Sequence, residues 1–225
     1  LYFRIRRRLD LMDARIIAIA GGAALLLLYL LDEGDGESAN SADLEDLGNQ
    51  ALDAGSEYFS EIDEMTTQAN ERAFLAAIRV GEGTSAGNGY SILFGGATFG
   101  SFDDHPALLG WRGGSLSAAM CAGAGFGPGC VSTAAGAFQI NKPTWLRVGG
   151  KLGLSDFSPA SQDAAALELI REKGALGDVR AGRVDVAVTK VSKVWASLPG
   201  AEYGQGEVKL AAFVKNYANA GGNVA

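Results

Sequence analysis

Histidine is almost missing from this chain: among 225 residues there is one, His105. Ser-His-Asp or Cys-His catalysis would have to run through that single position. Its setting, Phe102-Asp-Asp-His-Pro106, reads instead as a turn. Cysteine is nearly as scarce. Cys121 and Cys130 flank the run Ala-Gly-Ala-Gly-Phe-Gly-Pro-Gly. No histidine or third cysteine lies near enough in sequence to complete a zinc set, so no metal site is expected. No cofactor is expected either. Two readings of the cysteine pair stay open: a disulfide closing the loop, which needs an oxidising compartment, or two buried free thiols. No internal repeat is visible, and the 32 glycines are too scattered for a repeat protein. A basic surplus is also absent, the formal net charge being −7. A nucleic-acid partner wants a clustered basic face and is not expected.

What is present is strongly segregated. Residues 1–15 hold five arginines against two aspartates, a basic N-terminal segment. Residues 16–31, Ile-Ile-Ala-Ile-Ala-Gly-Gly-Ala-Ala-Leu-Leu-Leu-Leu-Tyr-Leu-Leu, carry no charge. As a helix this run would be about 24 Å long, a little short of a bilayer core of about 30 Å. Arginines before it and acids after it predict an N-terminus inside and the rest of the chain outside. Three readings fit: an uncleaved membrane anchor, a helix packed against partner proteins, and a signal segment cut near Ser38-Ala-Asn-Ser-Ala42. From Asp32 to Glu71 there are thirteen acids and no Lys or Arg. Residues 32–66 read as an acidic linker that becomes helical, with Leu44, Leu47, Ala51, Ala54 and Tyr58 three and four apart. The rest of the chain is mildly basic and, with 48% hydrophobic residues overall, can bury one core.

The chemistry concentrates at Arg79-Val-Gly-Glu-Gly-Thr84. The preceding run, Asn70 to Val80, puts Phe74, Ala77 and Ile78 on one helical face. Thr66 or Thr67 is the expected N-cap and Gly81 the expected stop. Glu82 then follows a helix C-terminus, where unpaired carbonyls make the potential negative. That field and any desolvation raise a carboxyl pKa, as a general acid near neutral pH requires.

Further motifs follow in a fixed order. They are Gly89-Tyr90, Gly95-Gly96, Phe99 to Pro106, and Ser132-Thr-Ala-Ala-Gly-Ala-Phe-Gln139 with Trp145 after it. Next come Leu152-Gly-Leu-Ser-Asp-Phe-Ser-Pro-Ala-Ser-Gln-Asp163, Lys173-Gly-Ala-Leu176, and Trp195-Ala-Ser-Leu-Pro-Gly-Ala-Glu-Tyr-Gly-Gln205. From Asn70 to about Gly222 the chain thereby resembles the phage lambda lysozyme family, whose members are lytic transglycosylases. The resemblance implies that Glu82 occupies the family's catalytic acid position. It implies a lysozyme-like α+β domain over residues 67–222, with the site in a cleft between a helical lobe and a small β-rich lobe near 88–140. Gln139 is expected to hydrogen-bond the sugar or position the acid. Tyr203 and Gln205 would form the opposite lip, Tyr90 the floor, and Asp104 would lie near the cleft. Trp145 and Trp195 read as core.

Two regions depart from the family. The stretch Leu109 to Val131 is richer in glycine and carries both cysteines, and everything before Thr66 is extra. Phe126 would touch substrate only if the cysteine loop folds over the cleft. Ser158 before Pro159 reads as a helix start, and helices near 184–197 and 205–219 are expected to close the domain. The implied substrate is bacterial peptidoglycan, cleaved between N-acetylmuramic acid and N-acetylglucosamine to a 1,6-anhydromuramic end. Residues 1–66 would meet a membrane or phage tail proteins. The implied location is the virion tail, or the host inner membrane with the domain facing the periplasm. The alternatives are a true hydrolase, and a structural virion component with a wall-binding domain.

Overall fold

The structure, a computed structural model, describes residues 41–123, 125–202 and 206–225. Residues 1–40 lie outside this description, and with them the basic segment and the apolar run 16–31. Among the described residues no helix is long and apolar enough to cross a membrane. Backbone contacts divide the chain after Met65, and each unit is described by itself.

Helix α1 spans Ser41–Gly81. Thr66 and Thr67 are interior to it and cap nothing, contrary to expectation. The acidic stretch contains no proline, and one interior glycine such as Gly55 costs too little to stop a long helix. In the first unit Leu52, Phe59 and Met65 are exposed.

In the second unit, the last turns of α1 bury Ala73, Phe74, Ala77 and Ile78, as the spacing predicts. Phe74 meets the edges of Phe213 and Tyr217 at 5.2 and 6.4 Å. A 3₁₀ turn (Gly89–Ser91) follows, then β1 (Gly114–Ser115), α2 (Ala118–Gly123) and β2 (Val131–Ser132). The helical lobe consists of α3 (Lys142–Leu152), α4 (Pro159–Glu172), α5 (Leu176–Arg180), α6 (Val184–Val191) and α7 (Leu210–Asn219).

The α4 start is the one expected: Ser158 Oγ accepts from the Ser161 N–H at 3.3 Å, and Pro159 opens the helix. Helix α6 buries Val184, Ala187, Val188 and Val191, one face at spacings of three and four. It stops at Val191, short of the expected 197. The chain tightens there, Val194 N–H bonding the Val191 carbonyl, and Trp195 Nε1 donates to the Phe138 carbonyl at 3.0 Å. A helix continuing past Val191 would compete with that long-range bond. Both Trp145 and Trp195 are core residues, each 4% exposed.

The β lobe is thinner than the sequence implied. Two-residue strands pair antiparallel, Gly114 with Ser132 and Ser115 with Val131. Around them are single bridges between Ile92 and Thr98, Leu93 and Ala135, and Ala135 and Ile140. Glycine is a poor strand former, and turn hydrogen bonds take the place of longer ladders here.

Candidate active site

Glu82 is fixed by the way α1 ends. Gly83 adopts φ +71°, its N–H bonds the Val80 carbonyl at 3.2 Å, and Thr84 N–H reaches back to Arg79 O at 2.8 Å. This is a Schellman ending with Gly83, rather than Gly81, as the left-handed residue. Glu82 is therefore the C-cap itself. Thr84, 1% exposed, anchors the turn by donating its hydroxyl to the Ala137 carbonyl at 2.5 Å. Arg79 donates to the Thr84 carbonyl at 3.1 Å, and its guanidinium lies 4.5 Å from the centre of the Tyr90 ring.

The Glu82 side chain is half-buried in the wall of an open cleft of about 800 Å³. Ser197 Oγ donates to Glu82 Oε1 at 2.6 Å. Gly81 makes this approach possible, since a Cβ there would stand 2.9 Å from the Ser197 hydroxyl. Burial raises the Glu82 pKa above the ordinary glutamate value, and hydrogen bonds from the Ser197 side chain and backbone pull in the other direction. The net result is a carboxyl that holds its proton to higher pH than a solvated one. Among the described residues lining the cleft, Glu82 is the only carboxylate. Nearby acids are engaged elsewhere. Glu202 pairs with Lys193 at 2.7 Å, and Glu207 accepts from the N–H groups of Gly200 and Glu202.

Of the other candidates, the cleft contains Gln139. Its backbone is left-handed (φ +45°), and its side-chain amide donates to the carbonyls of Gly136 (3.0 Å) and Ile92 (3.3 Å). Two candidates sit elsewhere. Tyr90 does not line the cleft: its hydroxyl donates to Asp163 at 2.8 Å, and burial with that neighbour pushes its pKa to about 12. It braces the Glu82 turn from behind through Arg79. Asp104 accepts from Trp145 Nε1 at 2.8 Å and from the His105 N–H, a structural role outside the cleft lining. One carboxylate oxygen satisfies a buried indole, a demand that the local sequence does not reveal. His105 is fully buried, with Nε2 on the Ile140 carbonyl at 2.9 Å and Nδ1 accepting from Ala107 N–H. Burial lowers its pKa, so it serves as a neutral turn-former. Tyr203 and Gln205 lie outside the described residues.

Cys121 and Cys130 form a disulfide, with Cα atoms 5.8 Å apart. It staples the glycine-rich insert, and Met120 and Gly123 of that insert line the cleft together with Ser132 and Ala134. Phe126 is 65% exposed and is not part of the lining. Sequence reasoning missed Ser197 and Asn141, both in the lining. Ser197 lies inside the Trp195-to-Gln205 motif, so its position was legible, though its partner 115 residues away was not. Among the described residues no group of His, Cys, Asp and Glu could hold a metal ion.

A half-buried, hydrogen-bonded carboxyl in an open cleft of an α+β domain defines a lysozyme-like site. Comparison with known proteins agrees. The endolysin family profile matches residues 72–224. The endolysin of Escherichia phage lambda is 38% identical over 68% of this chain and 92% of its own length. That of Escherichia phage P2 is 38% identical over 70% and 96%. A structure of bacteriophage lambda lysozyme complexed with a chitohexasaccharide superposes with a TM-score of 0.60 at 37% identity, covering 70% of this chain and 97% of that one. A second lambda lysozyme structure gives 0.57 at 34%. The chain belongs to the endolysin family of phage peptidoglycan-degrading enzymes.

Proposed function

We propose that this endolysin is a lytic transglycosylase in which Glu82 acts first as acid and then as base. The observation that carries the reading is that, among the described residues, one carboxyl lines the cleft, and its pKa is raised. Glycosidases of the usual kind need two carboxylates, one donating a proton and one attacking or activating water. With one, the substrate's own hydroxyl can serve as the nucleophile. Ser197 holds Oε1, which leaves Oε2 to carry the proton. Glu82 protonates the oxygen joining N-acetylmuramic acid to N-acetylglucosamine, and the bond to the muramic C1 breaks. The muramic C6 hydroxyl then attacks C1 and returns its proton to Glu82, leaving a 1,6-anhydro ring and a restored acid. Attack from within the same sugar avoids the entropy of capturing a water molecule. The chitohexasaccharide held by the similar lambda lysozyme is also a β-1,4 chain of N-acetylated sugars, which supports a glycan in this cleft.

Mass spectrometry of muropeptides released from purified peptidoglycan tests this. Anhydromuramic ends that vanish in Glu82→Gln are expected. Reducing ends carrying an added water would make the enzyme a hydrolase. The same reading has residues 1–66 carry the domain to the periplasmic side of the host inner membrane or to a virion tail. Fractionation of infected cells and of purified virions separates the two.

A further inference from the structure

Beside the catalytic cleft lies a second, smaller pocket of about 250 Å³. It shares Gln139, Asn141, Val194 and Trp195 with the cleft, so the two are continuous along one edge. Their linings differ in charge. The cleft carries one acid and no Lys or Arg among its described residues, whereas the second pocket gathers Arg147, Lys173 and Lys193 around a single acid, Glu172. Glu172 is shared by two cations, Arg147 at 2.6 Å and Lys151 at 3.0 Å. Among the described residues no carboxylate pairs with Lys173. Lys193 pairs at 2.7 Å with Glu202, which lies outside the lining, so the positive charge of the described lining that no carboxylate answers is that of Lys173.

A bare sugar chain has no use for such a surplus, but peptidoglycan is more than a sugar chain. Its muramic residues carry short peptides, and these bear free carboxylates. We propose that the second pocket binds the acidic stem peptide on a muramic residue seated in the neighbouring cleft, with Lys173 and Arg147 as carboxylate partners. The inference rests on the reading of the cleft as a peptidoglycan-cleaving site. It gives the enzyme a means of preferring peptide-bearing strands over denuded glycan. Both cations are exposed on the rim, so each pair is weak and screened by salt, and together they discriminate by about three- to tenfold.

The test compares kcat/KM of the full chain on intact glycan strands and on the same strands stripped of peptides by an amidase. The wild-type ratio should favour peptide-bearing strands about three- to tenfold at low salt, through KM rather than kcat, and should shrink at high salt. In Lys173→Glu, and to a lesser degree in Lys173→Gln, the ratio should fall toward unity. A wild-type ratio near one, or a ratio unaltered in both variants, overturns the proposal. So does an equal loss on both substrates, which would make the pocket a glycan subsite. Failure of the underlying reading looks different: the wild type would cleave neither substrate, or Glu82→Gln would cleave both.

Discussion

The two walls of the cleft are built in opposite ways. One wall carries Glu82, Trp195 and Ser197, and every part of it is an extension of the core. Trp195 is 4% exposed, Ser197 is 8% exposed, and the helix that presents Glu82 buries Phe74 and Ile78 completely. The other wall is the insert with Met120 and Gly123, where Phe126 and Val131 are 65% and 49% exposed. It has a two-residue ladder at its base and a disulfide in place of a core. The part of the lining that carries the cleft carboxyl is held by packing. The part that comes from the insert is held by a covalent staple. Packing immobilises many atoms at once, which suits a carboxyl whose proton affinity depends on its surroundings. A staple restricts a loop without demanding apolar bulk, so glycine and small side chains suffice.

The largest expected effect is on the packed wall. Glu82→Gln should lower turnover of purified peptidoglycan by roughly 10²–10⁴-fold, the usual share of a general acid, with the folded structure intact by circular dichroism. Next, Trp195→Ala should cost about 3–5 kcal/mol in urea unfolding, as truncation of a buried indole does. It should also disturb activity through the neighbouring Ser197.

The stapled wall should break differently. Replacing both cysteines by serine, or reducing the wild type, should cost about 2–3 kcal/mol, the entropy released when a loop of this length opens. The effect on catalysis should appear as a raised KM with kcat largely kept. If kcat falls as far as in the packed-wall variants, the contrast between the walls is wrong.

The smallest effects are in the electrostatics. Ser197→Ala removes a donor that favours the charged carboxylate, so the Glu82 pKa should climb further. The proposed mechanism needs Glu82 protonated on entry, and the alkaline limb of the kcat/KM profile should therefore move to higher pH. Stability carries the reverse sign. The folded-state pKa of Glu82 lies above its unfolded value, so the native state binds more protons between the two, and stability declines as pH rises through that window. Glu82→Gln should then be slightly more stable than the wild type at neutral pH. The gain should disappear in thermal melts below the ordinary glutamate range.

How much of this was legible beforehand differs by residue. The cleft positions of Glu82 and Gln139 and the burial of Trp145 and Trp195 could be read because their evidence is local: a helical face, a glycine after the acid, a motif in order. That Tyr90 and Asp104 stand outside the cleft lining could not be read, because the partners they bond, Asp163 and Trp145, lie 73 and 41 residues away. Gln162 makes the same point from within the core. Fully buried, it joins Ala137, Tyr90 and Phe157 through one amide, and nothing in its neighbourhood of sequence foretells three such partners. The thin β lobe was overestimated because short-range patterns do not say whether a segment will find a ladder partner or satisfy its backbone in turns.

Sequence by itself determined the family, the helix that ends at Glu82 and the acidic character of the region before the domain. Each depends on residue identity, order or helical period, which a linear chain displays. The tertiary structure alone decided that Ser197 grips the acid, that Cys121 and Cys130 join to wall the cleft, and that Tyr90 and Asp104 stand behind it. Those are facts about proximity between distant residues, and proximity is settled by how the core packs.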